Sequence, residues 1–340
     1  MRLFFIITAL LFSCTQPKQV NVEKAKSELA LLSESISKSP QNTDYLEKRA
    51  IYFLNNDNLE SALMDYKQCV NLNSANSNYH YQTAFLYYEI AKMDRTKQSY
   101  PEQAKFHLKE VLNIQTDFIP ALVLKGELHL AFGEVKEAIA SLNKVIELEY
   151  NTAKAHLLKG YIYASLQEED KAIQFFHNAV DIDPLQEDAY VQLGLIYQKK
   201  EDTTAVLYYK NTLKINPNNK LALYNLGKFY QDTENWNEAI KSYTNLVQIY
   251  PTFSDGYYNL GFVHIKLGLY DVAVNDFANA ISFNLDFHEA YYSRGHCYET
   301  LGDVYRAELD YRKALSINPN YQNAKDALNA LLLRNQQIKQ

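Results

Sequence analysis

Three cysteines and eight histidines are the residues of this chain best suited to nucleophilic or metal chemistry. No Cys-x-x-Cys occurs, and no two histidines have the helical spacing with an adjoining glutamate that a zinc site requires. The chain also lacks a phosphate-cradling glycine loop and a Gly-x-Ser-x-Gly turn. Acidic runs such as Glu168 to Asp170 fall in expected turns, where solvation or helix capping explains them. The sequence therefore predicts no enzymatic activity, no metal and no cofactor.

Cys14 stands at the end of a short apolar segment. Met1 and Arg2 precede a run from Leu3 to Phe12 that is too short to span a bilayer as a helix but suits a secretory signal. The ending Leu-Phe-Ser-Cys resembles a bacterial lipoprotein signal, and this resemblance implies that Cys14 is acylated and becomes the N-terminus. A plain secretory signal or a membrane-buried start remains the alternative.

The composition is that of a folded helical protein. The chain has 340 residues with only 10 glycines and 8 prolines, whereas average usage would give roughly 24 and roughly 17. So few breakers argue against an all-β fold with many tight turns. The net charge is -6, from 34 basic and 40 acidic residues, and a nucleic-acid surface is usually basic. Nucleic acid is therefore not an expected partner.

A repeat of about 34 residues runs through most of the chain. Small residues recur in one column at Gly126, Gly160, Gly194, Gly227, Gly261 and Gly295, with Ala50 and Ala84 in the same phase. A large residue follows sixteen or fifteen positions later in most repeats, at Tyr66, Leu142, Phe176, Tyr209, Tyr243, Phe277 and Tyr311, and at Leu108 after an insertion. Since glycine in a helix interior is destabilising by about 1 kcal/mol relative to alanine, its recurrence needs a steric reason. We expect the small residue to let a second helix approach closely.

This pattern resembles the tetratricopeptide repeat (TPR), as in Tyr224-Asn225-Leu226-Gly227 followed by Tyr230, Ala239, Tyr243 and Pro251. The resemblance implies an all-α fold, a right-handed α-solenoid of about eight helix-turn-helix repeats with terminal capping helices. The predicted segments are a signal at 1–13, a lipid-anchored tether at 14–21, an N-terminal helix at 22–42, repeats at 43–76, 77–118, 119–152, 153–186, 187–219, 220–253, 254–287 and 288–321, and a capping helix with its tail at 322–340.

Cys69 and Cys297 are expected to be buried thiols, and His129 and His264 to be core residues, because they fall in packing columns. The insertion from Ala91 to Pro101 contains Lys92, Arg95, Lys97 and Tyr100 and is expected between two helices. Such a basic loop could touch lipid headgroups or an acidic partner, or it could be a tolerated surface insertion.

The resemblance further implies that the first helices line a concave groove for extended peptides or a partner helix. The residues projected there in the last three repeats are Tyr224, Asn225, Lys228, Tyr258, Asn259, Phe262, Tyr292, Ser293 and His296. Three stacked tyrosines would form a rigid ladder, and asparagine amides can pair with a ligand backbone. Tyr81, Phe85 and Tyr88 form a second expected aromatic patch. Tyrosine and asparagine are also common scaffold residues at these positions.

The sequence thus predicts a non-enzymatic adaptor or scaffold lipoprotein of the bacterial cell envelope, anchored through lipid, with the outer membrane favoured over a periplasmic or secreted location. Its expected partners are proteins or peptides. The alternative is an envelope protein that binds a small ligand or a glycan, because sugars stack on aromatic rings such as those of Tyr224, Tyr258 and Tyr292.

Overall fold

The computed structural model describes the backbone of residues 17–148 and 152–338, and the side chains of residues 28–148 and 152–335. The signal at 1–13 and Cys14 lie outside this range. The chain divides into two compact units between Leu158 and Lys159.

Within the described residues the chain forms eighteen α-helices and no strand. The helices are α1 (Pro17–Lys38), α2 (Thr43–Leu54), α3 (Leu59–Leu72), α4 (Ser77–Met93), α5 (Tyr100–Ile114), α6 (Ile119–Ala131), α7 (Val135–Glu147), α8 (Ala153–Ser165), α9 (Glu169–Ile182), α10 (Glu187–Lys199), α11 (Thr204–Ile215), α12 (Lys220–Asp232), α13 (Trp236–Ile249), α14 (Ser254–Lys266), α15 (Tyr270–Phe283), α16 (His288–Thr300), α17 (Val304–Ile317) and α18 (Gln322–Ile338). The predicted all-α repeat class is confirmed.

The helices pair in chain order. In the first compact unit each helix from α1 to α6 packs on the next, and in the second unit the same holds from α9 to α18. The first helix of each pair begins at the first residue of a predicted repeat, from Thr43 through Ser77 to His288, and α18 begins at Gln322. Each helix therefore buries its apolar face on neighbours, as helical arrays require.

The glycine column explains how the two helices of a pair meet. A Cβ added at Gly227 would lie 2.6 Å from the Tyr243 ring, and one added at Gly261 would lie 2.8 Å from the Phe277 ring. Both rings are fully buried. The predicted steric reason for glycine in this column is confirmed, because no room for a side chain exists between the two helices.

The turn between the helices of a pair uses a left-handed residue. Gly268 and Gly302 have φ values of 75° and 83°, while Gln167 and Glu234 hold the same turn position with φ values of 61° and 56°. Glycine adopts this region freely, and other residues rarely do. The turn geometry is thus kept even where the sequence does not supply glycine.

Two segments differ from the prediction. Helix α1 begins at Pro17, so residues 17–21 of the expected tether are helical; proline suits the first position of a helix because its missing N–H has no partner there. The insertion near residue 91 mainly lengthens α4, which has 17 residues and places Lys92 inside the helix, while Tyr100 begins α5. Only residues 94–99 connect the two helices.

The basic residues of the insertion are mostly paired within the chain. The Lys92 ammonium lies 2.6 Å from the Glu89 carboxylate and 4.8 Å from the Tyr88 ring centre. The Lys97 ammonium lies 3.0 Å from the carboxylate of Glu60 on the preceding helix pair. These contacts favour a structural role for the insertion over lipid or partner binding, since two of its three cations already have partners.

Candidate functional site

Three tyrosines occupy the same position on successive first helices of the second compact unit. Tyr224, Tyr258 and Tyr292 are each the fifth residue of their helix, on α12, α14 and α16. A repeat of constant length gives equivalent positions equivalent surroundings, so the three rings face the same side of the array. All three side chains are half-buried.

Each of these rings packs inside its own repeat. The Tyr258 ring lies 5.6 Å from Phe277 and 4.9 Å from Phe287, measured between ring centres. The Tyr292 ring lies 5.8 Å from Tyr311 and 5.4 Å from Tyr321. Such distances are typical of stabilising aromatic pairs. Each tyrosine ring therefore lies between two aromatic rings. One is the ring that packs on the glycine of the same repeat, and the other belongs to the last residue of that repeat.

The expected stack of the three tyrosines on one another does not occur in the described part of the chain. Tyr224 likewise contacts Tyr243 and Phe253, with ring centres 6.4 and 5.9 Å away. The physical reason is spacing: packed helix axes stand about 8–10 Å apart, which exceeds the reach of direct ring contact between equivalent positions. The second helix supplies one of the two rings against each tyrosine, and the residue before the next helix supplies the other.

The hydroxyl ends of two of these tyrosines lie in a polar, acidic setting. Burial raises the pKa of Tyr258, the Ser293 hydroxyl opposes this by hydrogen bonding, and the Glu289 charge raises the pKa further. Burial also raises the pKa of Tyr292, and the charges of Glu299 and Asp326 add to it. The phenols thus stay protonated at neutral pH and can donate hydrogen bonds.

Two carboxylates beside these phenols have no lysine or arginine within 4 Å in the described residues. Asp326 on α18 accepts a bond from the Gln322 amide at 2.8 Å. Glu289 lies 3.0 Å from His288 Nδ1, while the Asn318 amide lies 2.9 Å from His288 Nε2. The Asn318 side-chain N–H donates to His288 Nε2, so Nε2 carries no proton in this arrangement. The ring proton is then on Nδ1, which donates to the Glu289 carboxylate. The negative charges of Glu289 and Asp326 then remain uncompensated.

The other predicted groove residues are accessible to different extents. The Asn225 amide donates to the Leu221 carbonyl at 2.9 Å, which leaves one of its N–H groups and its oxygen for a ligand. Lys228 pairs with Asp232 at 3.3 Å. Asn259 and Ser293 are half-buried, and His296 is exposed. Phe262 is half-buried, with the Lys266 ammonium 5.3 Å from its ring centre.

The second predicted aromatic patch is only partly at the surface. Tyr88 is 4% exposed and belongs to the core of the first compact unit. Tyr81 and Phe85 are half-buried against the same core, and the Tyr81 ring centre lies 5.4 Å from that of Phe118. The Lys92 ammonium, on the extra turn of α4, lies 4.8 Å from the centre of the Tyr88 ring. This patch is therefore mainly a packing cluster, and Tyr88 is not a surface binding residue.

Neither described thiol is suited to nucleophilic chemistry. Cys69 and Cys297 are both buried, and burial raises the pKa of each to about 12. A protonated thiol is a poor nucleophile. Among residues 28–148 and 152–335, no group of three potential ligand side chains could hold a metal ion.

Buried charges that sequence reasoning did not identify stabilise several helix pairs. The Arg49 and Arg294 guanidiniums each make two bonds of 2.7–2.8 Å to a carboxylate sixteen residues later, on Asp65 and Asp310. His264 in the tyrosine column lies 2.6 Å from Asp276. The constant separation of sixteen residues between cation and acid is a signal that could have revealed the arginine pairs.

Comparison with protein-family models identifies the repeat. Four models described as tetratricopeptide repeat match residues 123–187, 208–241, 254–287 and 288–321. The chain therefore carries tetratricopeptide repeats, as the sequence pattern predicted. No curated protein matches the chain in sequence.

Several solved structures are similar to this chain. MamA is 24% identical, with a TM-score of 0.47 over 50% of this chain and 93% of its own. YrrB, described as a TPR protein with an unusual peptide-binding site, is 21% identical, with a TM-score of 0.49 over 55% of this chain and 96% of its own. The Cut9–Hcn1 hetero-tetramer of the APC/C is 16% identical, with a TM-score of 0.49 over 92% of this chain and 60% of the matched chain.

No helix in the described residues is long and apolar enough to cross a membrane.

Proposed function

We propose that this protein is a non-enzymatic adaptor that binds a segment of a partner protein along the first helices α12, α14 and α16 and the capping helix α18. The observation that carries this proposal is the row of half-buried tyrosines whose flanking polar groups remain open to a ligand. Rigid aromatic side chains with a polar end are favoured at protein interfaces, because little side-chain entropy is lost on binding.

The charge of this surface favours a partner segment with basic side chains. Glu289 and Asp326 lie beside the phenols of Tyr258 and Tyr292, and neither carboxylate pairs with a lysine or an arginine in the described chain. Complementary charge steers association and selects partners. Stacking of sugars is supported less well, since each tyrosine ring already contacts two other rings.

Replacing Asn225 and Asn259 together with alanine is expected to weaken partner binding by roughly 30-fold, if each amide contributes about 1 kcal/mol to the complex. The partner is first captured in cells by a photocrosslinking residue in place of exposed His296. Affinity for the captured partner is then measured for both forms of the protein, together with the helical circular dichroism signal.

The matched control changes Asn275 and Asn279 on α15. Asn275 makes the same type of bond to its own helix as Asn225 does, here to the Asp271 carbonyl at 3.2 Å, but it lies on a second helix. The control variant is expected to bind normally. Equal binding by the groove variant and the parent protein, or equal losses in both variants, would show that the groove assignment is wrong.

The anchor at the N-terminus is part of the proposal. We infer from the lipoprotein-like signal ending at Cys14 that the adaptor is held at the bacterial envelope by acyl chains, with the outer membrane favoured. Stable anchoring needs more than one chain or signal. The described helices begin at Pro17, three residues after Cys14, so α1 would be the helix nearest to the anchor.

Changing Cys14 to alanine is expected to abolish fatty-acid labelling and to release the protein from membranes. Labelled fatty acid is supplied to cells, and the protein is followed in membrane and soluble fractions. Cys69→Ala is the control, because it removes a buried thiol and leaves Cys14 in place. Membrane attachment that survives Cys14→Ala would contradict the lipoprotein hypothesis.

A further inference from the structure

The seventh residue of the first helix is a lysine or an arginine in several repeats, and its partner differs from repeat to repeat. In the first and last repeats the seventh residue is Arg49 or Arg294, each bonded to an aspartate sixteen residues later. Those aspartates, Asp65 and Asp310, are 3% and 6% exposed. In these two repeats the arginine at the seventh position is thus matched by an acid from the second helix.

The same position is part of the core elsewhere. Leu193, Leu226 and Leu260 occupy it in the fifth, sixth and seventh repeats, and all three are buried. In the fourth repeat Lys159 occupies it, with its ammonium 4.3 Å from the centre of the Phe175 ring. Thr83 occupies it in the second repeat and is also buried, so the position accepts leucine, threonine or a cation that has a partner.

In the third repeat the cation has neither an acid nor an aromatic ring as its partner among the described residues. Its seventh residue is Lys125, and the residue sixteen positions later is Ser141 in place of an aspartate. The Ser141 hydroxyl donates to the Glu137 main-chain carbonyl at 2.9 Å. Within the described residues no carboxylate oxygen lies within 4 Å of the Lys125 ammonium, so the acid that completes the pair in the first and last repeats is absent.

A cavity of about 360 Å³ lies where that acid would stand. Its walls come from α5, α6 and α7 and include Lys105, Lys109, Lys125, His129, Glu137 and Ser141. Lys105 and His129 are already bonded to Glu134, at 2.7 Å for the lysine. Lys109 is exposed and, like Lys125, has no carboxylate within 4 Å in the described chain. Glu137 is the single acidic side chain among the lining residues.

We propose that this cavity binds a phosphate group, which supplies the negative charge that Asp65 and Asp310 supply in the first and last repeats. Lysine binds phosphate as a point charge, and two ammoniums without partners suit a dianion. The neighbouring Lys105, which is bonded to Glu134, adds a third ammonium to the wall. The volume exceeds that of phosphate alone, which leaves room for a substituent or for water. The site lies in the first compact unit and does not depend on the tyrosine-lined groove.

Titration of the full chain with inorganic phosphate at low ionic strength, followed by calorimetry, tests the proposal. Lys125→Met keeps the length of the side chain and removes its charge, so binding is expected to weaken at least about tenfold. Thermal stability is expected to stay equal or to rise, because leucine occupies this position in three other repeats. Lys125→Arg should retain binding, and Glu137→Gln should strengthen it.

Lys144→Gln is the control, because Lys144 is an exposed lysine of α7 that does not line the cavity. The water-soluble headgroup glycerophosphoglycerol is titrated in parallel. If only inorganic phosphate binds, the ligand is a free phosphate. If glycerophosphoglycerol, a phosphodiester, binds, the ligand is a lipid headgroup. In both cases Lys125→Met must remove the binding. Absence of saturable binding of both probes, or equal losses in Lys125→Met and Lys144→Gln, would overturn the proposal.

Discussion

Replacing Arg294 with leucine is expected to lower the free energy of opening of the α16–α17 pair by about 3–5 kcal/mol, because Asp310 would stay buried without its partner. The arginine makes two bonds of 2.8 Å to this carboxylate, and Asp310 is only 6% exposed. Hydrogen exchange of α17 amides measures the effect, since stability in a repeat array is a sum of local terms.

A second substitution should reverse most of this loss. Arg294→Leu combined with Asp310→Ser recreates the pair that Leu226 and Ser242 form in the sixth repeat. There the Ser242 hydroxyl donates to the Glu238 carbonyl one turn earlier, at 2.9 Å, and needs no charged partner. Replacing a whole buried ion pair by a matched alternative is often neutral. A double variant as unstable as the single one would contradict this account of the pair.

Replacing Gly227 with valine is expected to destabilise the sixth repeat by about 3 kcal/mol, because a new Cβ would lie 2.6 Å from Cε1 of the Tyr243 ring. The ring is fully buried, and its hydroxyl donates to the Gln231 side chain at 3.1 Å, so it cannot turn aside freely. Gly227→Ala should be milder, since alanine regains about 1 kcal/mol of helix propensity.

Urea unfolding followed by circular dichroism, with hydrogen exchange of α12 and α13 amides, measures this effect. Lys228→Val is the control: it introduces the same β-branched residue next to Gly227, where the native side chain is 41% exposed. A surface change of this kind is expected to stay within about 0.5 kcal/mol. Equal stability of Gly227→Val and the parent protein would mean that the helices can separate at this contact without loss.

The described first helices begin at the residues that start each repeat in the sequence pattern. The reason is that a constant repeat length places equivalent residues at equivalent points of each helix pair. A small residue at position eight and an aromatic sixteen positions later define both helices of a pair, so Gly227 and Tyr243 could be assigned to one contact from spacing alone. The insertion near residue 91 could not be placed this way. Its residues have no counterpart in other repeats, so the period does not say whether they extend α4 or form a loop, and the structure extends α4 to Met93.

In the candidate site, too, the repeat period predicts some features and leaves others open. Its positions on α12, α14 and α16 followed from the period, but the surroundings of each side chain did not. Tyr258 and Tyr292 are wedged between rings of their own repeats, and Tyr88 is 4% exposed in the core of the first compact unit. Each tyrosine contacts the rings 19 and 29 positions later, Phe277 and Phe287 for Tyr258, but which columns of the repeat meet is decided by how the helices pack.

The sequence by itself determined that this chain is an all-α array of tetratricopeptide repeats with glycine at the closest helix contact, because a constant period gives equivalent residues equivalent neighbours. The tertiary structure decided which charges are matched. Arg49 and Arg294 have their aspartates, whereas Lys125 faces a serine and a cavity. The physical reason is that a buried carboxylate such as that of Asp65 or Asp310 needs a partner of opposite charge, and that partner comes from another helix.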